Sequence, residues 1–234
     1  MVIAKAPEPG RVKTRLCPPL DPSEAAAVAT ACLLDTLDAA ASVAAARHVL
    51  VIDGAPDPWR PPDWEVVAQR GQGLGERLAN AFADVAGPAV IIAMDTPQVA
   101  PASLARALDE VATPGTAVLG PTEDGGYWAL GLPGDLDPVR VFDGIQMSTP
   151  ETGAAQRQRL VALGYRVVDL DVLRDIDYYE DLAPVAALVP ARRVGRLIAD
   201  RFAPAPASPV AVPFAPALPV AVPTQTVPTQ RRCP

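Results

Sequence analysis

The chain has 234 residues, 50% of them hydrophobic and 20% charged, with a formal net charge of −7. Length and apolar content suffice for one substantial domain with a sizeable core, and the acidic balance argues against nucleic acid as a general partner, because phosphate backbones are met by a net basic face. No run approaches the roughly 20 continuous apolar residues that cross a bilayer, and the N-terminus lacks the order of basic, apolar and small-residue regions that marks a signal peptide, so the expectation is a cytoplasmic protein with no membrane partner.

Met1 to Ala4 reads as the end of a first strand, and it gives way to a Pro/Gly loop, Ala4 to Leu16, carrying four basic residues: Lys5, Arg11, Lys13 and Arg15. Pro7, Pro9 and Gly10 punctuate the backbone, and the apolar run after Asp21 predicts that the loop feeds a helix. A basic loop between strand and helix suits phosphates, since backbone N–H groups and Lys/Arg side chains converge there. Taken alone it is equally a solvated basic turn. The helix is predicted from Pro22 to about Ala46, with Asp21 or Ser23 as N-cap and a break near Ser42.

Val49 to Ile52 is a second strand, closed by Asp53-Gly54, and Trp64 to Ala68 a third. Gln69-Arg70-Gly71-Gln72-Gly73-Leu74-Gly75 then opens a helix running to about Val85. Its glycines fall as GxGxG, which does not match the GxGxxG dinucleotide fingerprint. Gly10-Arg11-Val12-Lys13-Thr14 has Lys-Thr but no glycine before the lysine, so Walker A is absent as well.

Ala89 to Met94 is nearly continuous apolar sequence, as expected of a central parallel strand buried on both faces, and it ends in Asp95-Thr96-Pro97. Ligands of open α/β sheets collect at the carboxyl ends of strands, so Asp95 is expected to point into the site. A capping role for Asp95 in the next turn is the other reading. Ala102 to Ala112 is the following helix and Thr116 to Gly120 another strand, leading to Glu123-Asp124-Gly125-Gly126-Tyr127-Trp128, which is also a common hairpin signal. Met147-Ser148-Thr149-Pro150-Glu151-Thr152 caps a helix through Arg157 to Leu163, stopped by Gly164. Tyr165 to Leu170 is a late strand, followed by the acidic junction Asp175-Ile176-Asp177 and helical segments near Tyr179 to Leu188 and Val194 to Phe202.

From residue 203 onward prolines recur through an Ala/Val background with almost no charge before Arg231, which predicts an extended, disordered tail over 203–234 after a domain of 1–202. Cys17, Cys32 and Cys233 are widely spaced and form no CxxC, so free thiols are the simplest reading. The one histidine, His48, precedes a strand, and triad chemistry would depend on it alone.

Strands alternating with helices over the first 170 residues indicate an α/β fold, a Rossmann-like doubly wound, mostly parallel sheet. One basic loop, one acid after the central strand, an Asp-Gly-Gly loop and a late acidic pair suit a nucleoside triphosphate or nucleotide sugar with Mg²⁺ or Mn²⁺ held on carboxylates. With these residues in hand, the sequence resembles the DUF2064 family, also called the rSAM/selenodomain-associated transferase 1 family, of GT-A or nucleotide-diphospho-sugar transferase fold. The blocks that carry the resemblance are Ala-Lys-Ala-Pro-Glu-Pro-Gly-Arg-Val-Lys-Thr-Arg-Leu, Met-Asp-Thr-Pro, Gly-Pro-Thr-Glu-Asp-Gly-Gly-Tyr and Arg-Asp-Ile-Asp-Tyr-Tyr-Glu-Asp-Leu. More distantly, the layout is similar to molybdenum-cofactor and 2-phospholactate guanylyltransferases.

The resemblance implies that Lys13 and Arg15 bind nucleotide phosphates and, with Asp95, carry catalysis. Ala4, Lys5, Gly10, Gln69 and Gly75 would complete the nucleotide side. Asp95, Asp175 and Asp177 would hold the metal. Asp124, Gly125, Gly126, Tyr127, Ser148 and Thr149 would border the acceptor. The expected activity is nucleotidylyl transfer from an NTP to a small phosphorylated or hydroxyl acceptor. Glycosyl transfer from a nucleotide-sugar donor is the alternative, and a non-catalytic nucleotide-binding module the second.

Overall fold

In the computed structural model, which describes residues 1–56 and 59–202, seven strands form one sheet. In chain order these are β1 (Val2–Lys5), β2 (Val49–Asp53), β3 (Glu65–Ala68), β4 (Ala89–Ala93), β5 (Thr116–Pro121), β6 (Tyr127–Leu132) and β7 (Arg166–Asp169). The helices are α1 (Pro22–Ala41), α2 (Leu74–Val85), α3 (Pro101–Val111), α4 (Pro138–Phe142), α5 (Thr152–Ala162), α6 (Leu182–Leu188) and α7 (Arg193–Phe202). Short 3₁₀ turns cover Thr14–Leu16 and Tyr179–Asp181. The tail expected over 203–234 lies outside the described residues.

Spatial order in the sheet is β3-β2-β1-β4-β6-β5-β7. Every pair is parallel except the two that β6 makes, with β4 and with β5. The mostly parallel sheet expected from the alternating pattern is therefore present. The Asp-Gly-Gly segment is also the hairpin its composition signals, joining β5 to β6. Because β6 runs backwards, that turn falls at the edge where β1, β4, β5 and β7 have their carboxyl ends.

Side-chain alternation explains the apolar strand sequences. Leu50, Ile52, Val90 and Ile92 face a core shared with Leu33 and Leu37 of α1 and Leu104 of α3. Their neighbours Val49, Val51, Ala89 and Ile91 face a second core with Leu78 and Phe82 of α2, Phe142 of α4 and Leu160 of α5. Strands covered on both faces need no polar side, hence the near-continuous runs.

Helix α1 begins where expected, at Asp21, whose carboxylate accepts from the Ser23 and Glu24 N–H groups while the Glu24 side chain accepts from the Asp21 N–H. This reciprocal cap satisfies donors that have no partner inside the helix. The helix ends at Ala41 with Ser42 as its C-cap, at the expected break and short of Ala46. It is buried on two sides: Ala25, Val28 and Cys32 meet Leu16, Ile176, Val185 and Val194 in a third cluster that seats α6 and α7. Its Ala-rich composition follows from being packed between layers. No described helix is long and apolar enough to cross a membrane.

Candidate active site

Strands β2 and β4 lie on opposite sides of β1, so the chain order reverses there and a crevice opens beyond the carboxyl ends of β1 and β4. Ligands of open α/β sheets bind at such switch points. The basic loop enters the crevice directly from β1. It is fastened by its apolar residues: Val12 packs into the first core and Leu16, fully buried, into the third. Lys13 and Arg15, interleaved with these anchors, face the other way. Lys13 has left-handed backbone angles, φ 49° and ψ 37°, unusual for a residue with a side chain. Held conformational strain of this kind concentrates at functional sites.

The Lys13 side chain is 5% exposed, and its ammonium lies 2.8 Å from Asp95 Oδ1 and 3.0 Å from Asp177 Oδ1. Arg15 Nη1 reaches the other Asp177 oxygen at 2.8 Å, and its guanidinium sits 5.5 Å from the Tyr178 ring centre. Burial acts against the Lys13 charge, but the pull of Asp95 and Asp177 outweighs it and holds the lysine above its ordinary pKa. For Asp177 burial likewise works against the charge, while Lys13 and Arg15 prevail and keep the carboxyl below its usual value. The basic residues expected on phosphates and two of the acids expected on a metal are thus each other's counterions.

Asp177 reaches this position because Ile176, between the two acids, is fully buried in the third cluster and its N–H donates to the Asp95 carbonyl at 3.0 Å. The Asp175 carboxyl does not join the Lys13 pair. Burial pushes it up to about 6, with the like charges of Asp124 and Asp177 adding to the effect. The expectation that Asp95, Asp175 and Asp177 converge as a three-carboxylate metal set is therefore corrected: among the described residues no three acid, His or Cys side chains are grouped to hold an ion. What converges is the pair Asp95 and Asp177.

Two cavities meet at these residues. The first, about 530 Å³, is lined by Ala4, Lys5, Lys13, Arg15 and Gln69, together with Arg11, Arg77 and Gly73. Gly73 is the N-cap of the 12-residue α2 and supplies no side-chain cap. The free N–H groups of that first turn favour an anion. Gly10 and Gly75 do not line the cavity. Gly10 makes a left-handed turn at φ +78°, and Gly75 packs against Met147, whose Cε would lie 3.3 Å from an added Cβ. The Gln69 amide is already engaged, donating to the Ala4 carbonyl at 2.7 Å and accepting from Arg77 at 3.2 Å. Sequence reading missed Arg77, since an arginine inside a helix carries no motif. It is aimed by Asp53, at 3.1 Å.

The second cavity, about 710 Å³, contains Asp124, Gly126, Tyr127, Ser148, Thr149 and Asp175. Arg15, Asp95, Ser148 and Asp177 line both. Gly125 is not on the wall but beneath it. At φ +90°, an added Cβ would stand 1.9 Å from the Pro150 carbonyl oxygen, and the Gly125 carbonyl accepts from the Gly153 N–H at 2.9 Å. The glycine is thus required by close packing of the hairpin turn on the start of α5. Asp124 turns inward to accept from the Gly126 N–H at 2.9 Å and from the Thr122 hydroxyl. Thr96, also missed, is 1% exposed and lines the same cavity.

Sheet order and the placement of the crevice define a GT-A fold, the fold of nucleotide-diphospho-sugar transferases. Over residues 27–149, more than half of its length, the chain matches the model of the bacterial family DUF2064, described as uncharacterised proteins conserved in bacteria, and it belongs to that family. Among solved structures it is similar to a protein of Desulfovibrio desulfuricans G20 provisionally assigned as a nucleotide-diphospho-sugar transferase, with 26% identity over 85% of this chain and 92% of that one, at a TM-score of 0.77. Fold alone is shared with a CMP:2-keto-3-deoxy-manno-octonic acid synthetase complexed with CTP, at 14% identity, 80% and 95% coverage and a TM-score of 0.52. The same holds for a nucleotidyl transferase from Methanothermobacter thermautotroptrophicus, at 18% identity, 79% and 94% coverage and a TM-score of 0.52. Among curated proteins none matches.

Proposed function

We propose that the protein is a metal-dependent transferase with a nucleotide donor, and that it moves a nucleotidyl group from a nucleoside triphosphate to a small acceptor. The observation that carries this reading is the junction of two cavities at Arg15, Asp95 and Asp177, one rimmed by cations and a helix N-terminus, the other open to an acceptor. In-line displacement needs that arrangement, with leaving group and nucleophile on opposite sides of one phosphorus. The D. desulfuricans neighbour's assignment supports transferase chemistry at the level of class.

Asp95 and Asp177 fit a hard divalent cation, Mg²⁺ or Mn²⁺. Their oxygens already approach one ammonium, and Mg²⁺ is commonly held by one or two carboxylates with substrate phosphates and waters completing its shell. When bound, such an ion neutralises charge on the transferring phosphate. Lys13 and Arg15 line the donor cavity and would donate to phosphate oxygens there, while the first-turn N–H groups of α2 and Arg77 would hold the remaining phosphates. The acceptor oxygen would bond to the α-phosphorus, its hydroxyl proton passing to solvent, as the bond to the pyrophosphate oxygen breaks. The protein's part is positioning and charge stabilisation.

A second reading, glycosyl transfer from a nucleotide sugar, is favoured by the neighbour's assignment. The two separate on the leaving group. Incubation with Mg²⁺, an NTP panel and pooled small acceptors is expected to release pyrophosphate. Release of nucleoside diphosphate from sugar nucleotides, with none of pyrophosphate from NTPs, would replace the first reading by the second.

A further inference from the structure

The second cavity has a charge that the donor chemistry does not explain. Seven carboxylates line it against two guanidinium groups, those of Arg15 and Arg174. Arg15 is committed to Asp177 at 2.8 Å, and Arg174 to Glu123 at 2.6 Å. Asp181 is used within the loop, accepting from the Asp177 and Tyr178 N–H groups at 3.1 and 2.7 Å. Asp175 and Glu180 have no cationic partner among the described residues. A separate feature points to a ligand: the Thr96 side chain, 1% exposed on the cavity wall, has no hydrogen-bond partner for its Oγ1 among the described residues. A buried hydroxyl left without a partner is costly unless something else meets it.

Building on the two-cavity reading above, we propose that this cavity selects its acceptor by charge, taking a hydroxyl compound that is uncharged or carries an amine and rejecting phosphate esters. The volume of about 710 Å³ suits a molecule of sugar or amino-alcohol size. A dianionic phosphate would meet Asp124, Asp175 and Glu180, which have no cationic partner among the described residues, while Arg174 is held by Glu123 and Arg15 serves the donor side. An ammonium would be attracted by them, and a polyol hydroxyl can pair with Thr96. The contrast with the donor cavity is functional: phosphate is drawn to one side of Asp95 and repelled from the other, so donor and acceptor cannot exchange places.

The test uses three probes of matched skeleton: glycerol, 1,3-diamino-2-propanol and glycerol 2-phosphate. Each is titrated into the full chain in saturating Mg²⁺ and monitored through the backbone amides of Gly126 and Ser148 and the Trp128 indole. The diamine is expected to bind at least tenfold more tightly than glycerol 2-phosphate, with glycerol between. Glu123→Gln frees Arg174 and should shrink that ratio severalfold. Glycerol 2-phosphate binding as well as the diamine, or no response to the diamine at 50 mM, overturns the proposal. Failure of the transferase reading shows elsewhere: with donor present, neither pyrophosphate nor nucleoside diphosphate is released with pooled alcohols, amino alcohols or phosphate esters, whatever the probe titrations give. A nucleotide-modified product from the phosphate esters alone overturns the charge selection while leaving the transferase reading standing.

Discussion

The two halves of the sheet do different work. On one side β3, β2, β1 and β4 are all parallel, and their carboxyl ends deliver the basic loop, Gln69, the start of α2 and Asp95 to one cavity. On the other side the reversed β6 places the Asp-Gly-Gly turn at that same edge, where it meets the start of α5 and the 174–181 loop around a second, acidic cavity. A parallel half can supply only one loop per strand at this edge. The antiparallel strand adds a tight turn there, and with it a wall that can be packed independently of the first cavity.

Lys13 is the residue both halves depend on, and removing it should have the largest effect. Lys13→Ala leaves Asp95 and Asp177 without their shared cation and withdraws a phosphate donor. Turnover is expected to fall by about 10²- to 10³-fold. Stability should fall by roughly 1–3 kcal/mol, less than for a fully buried pair, because the two carboxylates remain about a third exposed. Steady-state assays and urea melts measure the two losses. If turnover survived while stability fell, the lysine would be an internal strut and the cationic half of the comparison would fail.

Gly125→Ala tests the independence of the two halves. Its Cβ would collide with the Pro150 carbonyl from a left-handed backbone, so a destabilisation of roughly 1–3 kcal/mol is expected. Acceptor-dependent turnover should drop, with nucleotide affinity by calorimetry unchanged within about twofold. An equal loss of nucleotide affinity would mean that the hairpin turn shapes the donor cavity too. Arg77→Ala is the converse and smaller perturbation, expected to weaken nucleotide binding roughly tenfold, the scale of one charge-assisted hydrogen bond, while amine or polyol binding in the second cavity is retained.

The same comparison explains what was legible in the sequence. On the parallel half, periodicity and punctuation act locally: Met1 to Ala4, Val49 to Ile52 and Ala89 to Met94 are uniform apolar strands, and each is followed at once by the residues it presents. Lys5, Lys13, Arg15 and Asp95 were therefore found where the sheet puts them. The second cavity is assembled from segments far apart in the chain. The Gly125 contact with Pro150, the Arg174 pair with Glu123 and the burial of Thr96 in the wall of the second cavity are products of tertiary packing, for which no local pattern exists. The three-carboxylate metal set failed for a related reason. Spacing places Asp175 and Asp177 on one strand-like segment, but the burial of Ile176 between them and the insertion of Lys13 decide which acid meets Asp95.

Asp175 offers the smallest and most specific probe. Its folded pKa, about 6, lies above its ordinary 3.8. Between those values the folded protein holds a proton that the unfolded chain has released, so stability falls as pH rises from about 4 to about 6 and is level above. Asp177 acts in the opposite sense. Its folded pKa is depressed, so the stability it contributes is present above 3.8 and is lost as pH falls below that value. Urea midpoints measured across pH 3 to 8 should therefore show a decline on the acid side assigned to Asp177 and a second decline from pH 4 to 6 assigned to Asp175. Asp175→Asn removes the source of the second decline and should leave the variant as stable as, or more stable than, the parent at pH 7. A variant that retained the decline between pH 4 and 6 would place the titrating group elsewhere.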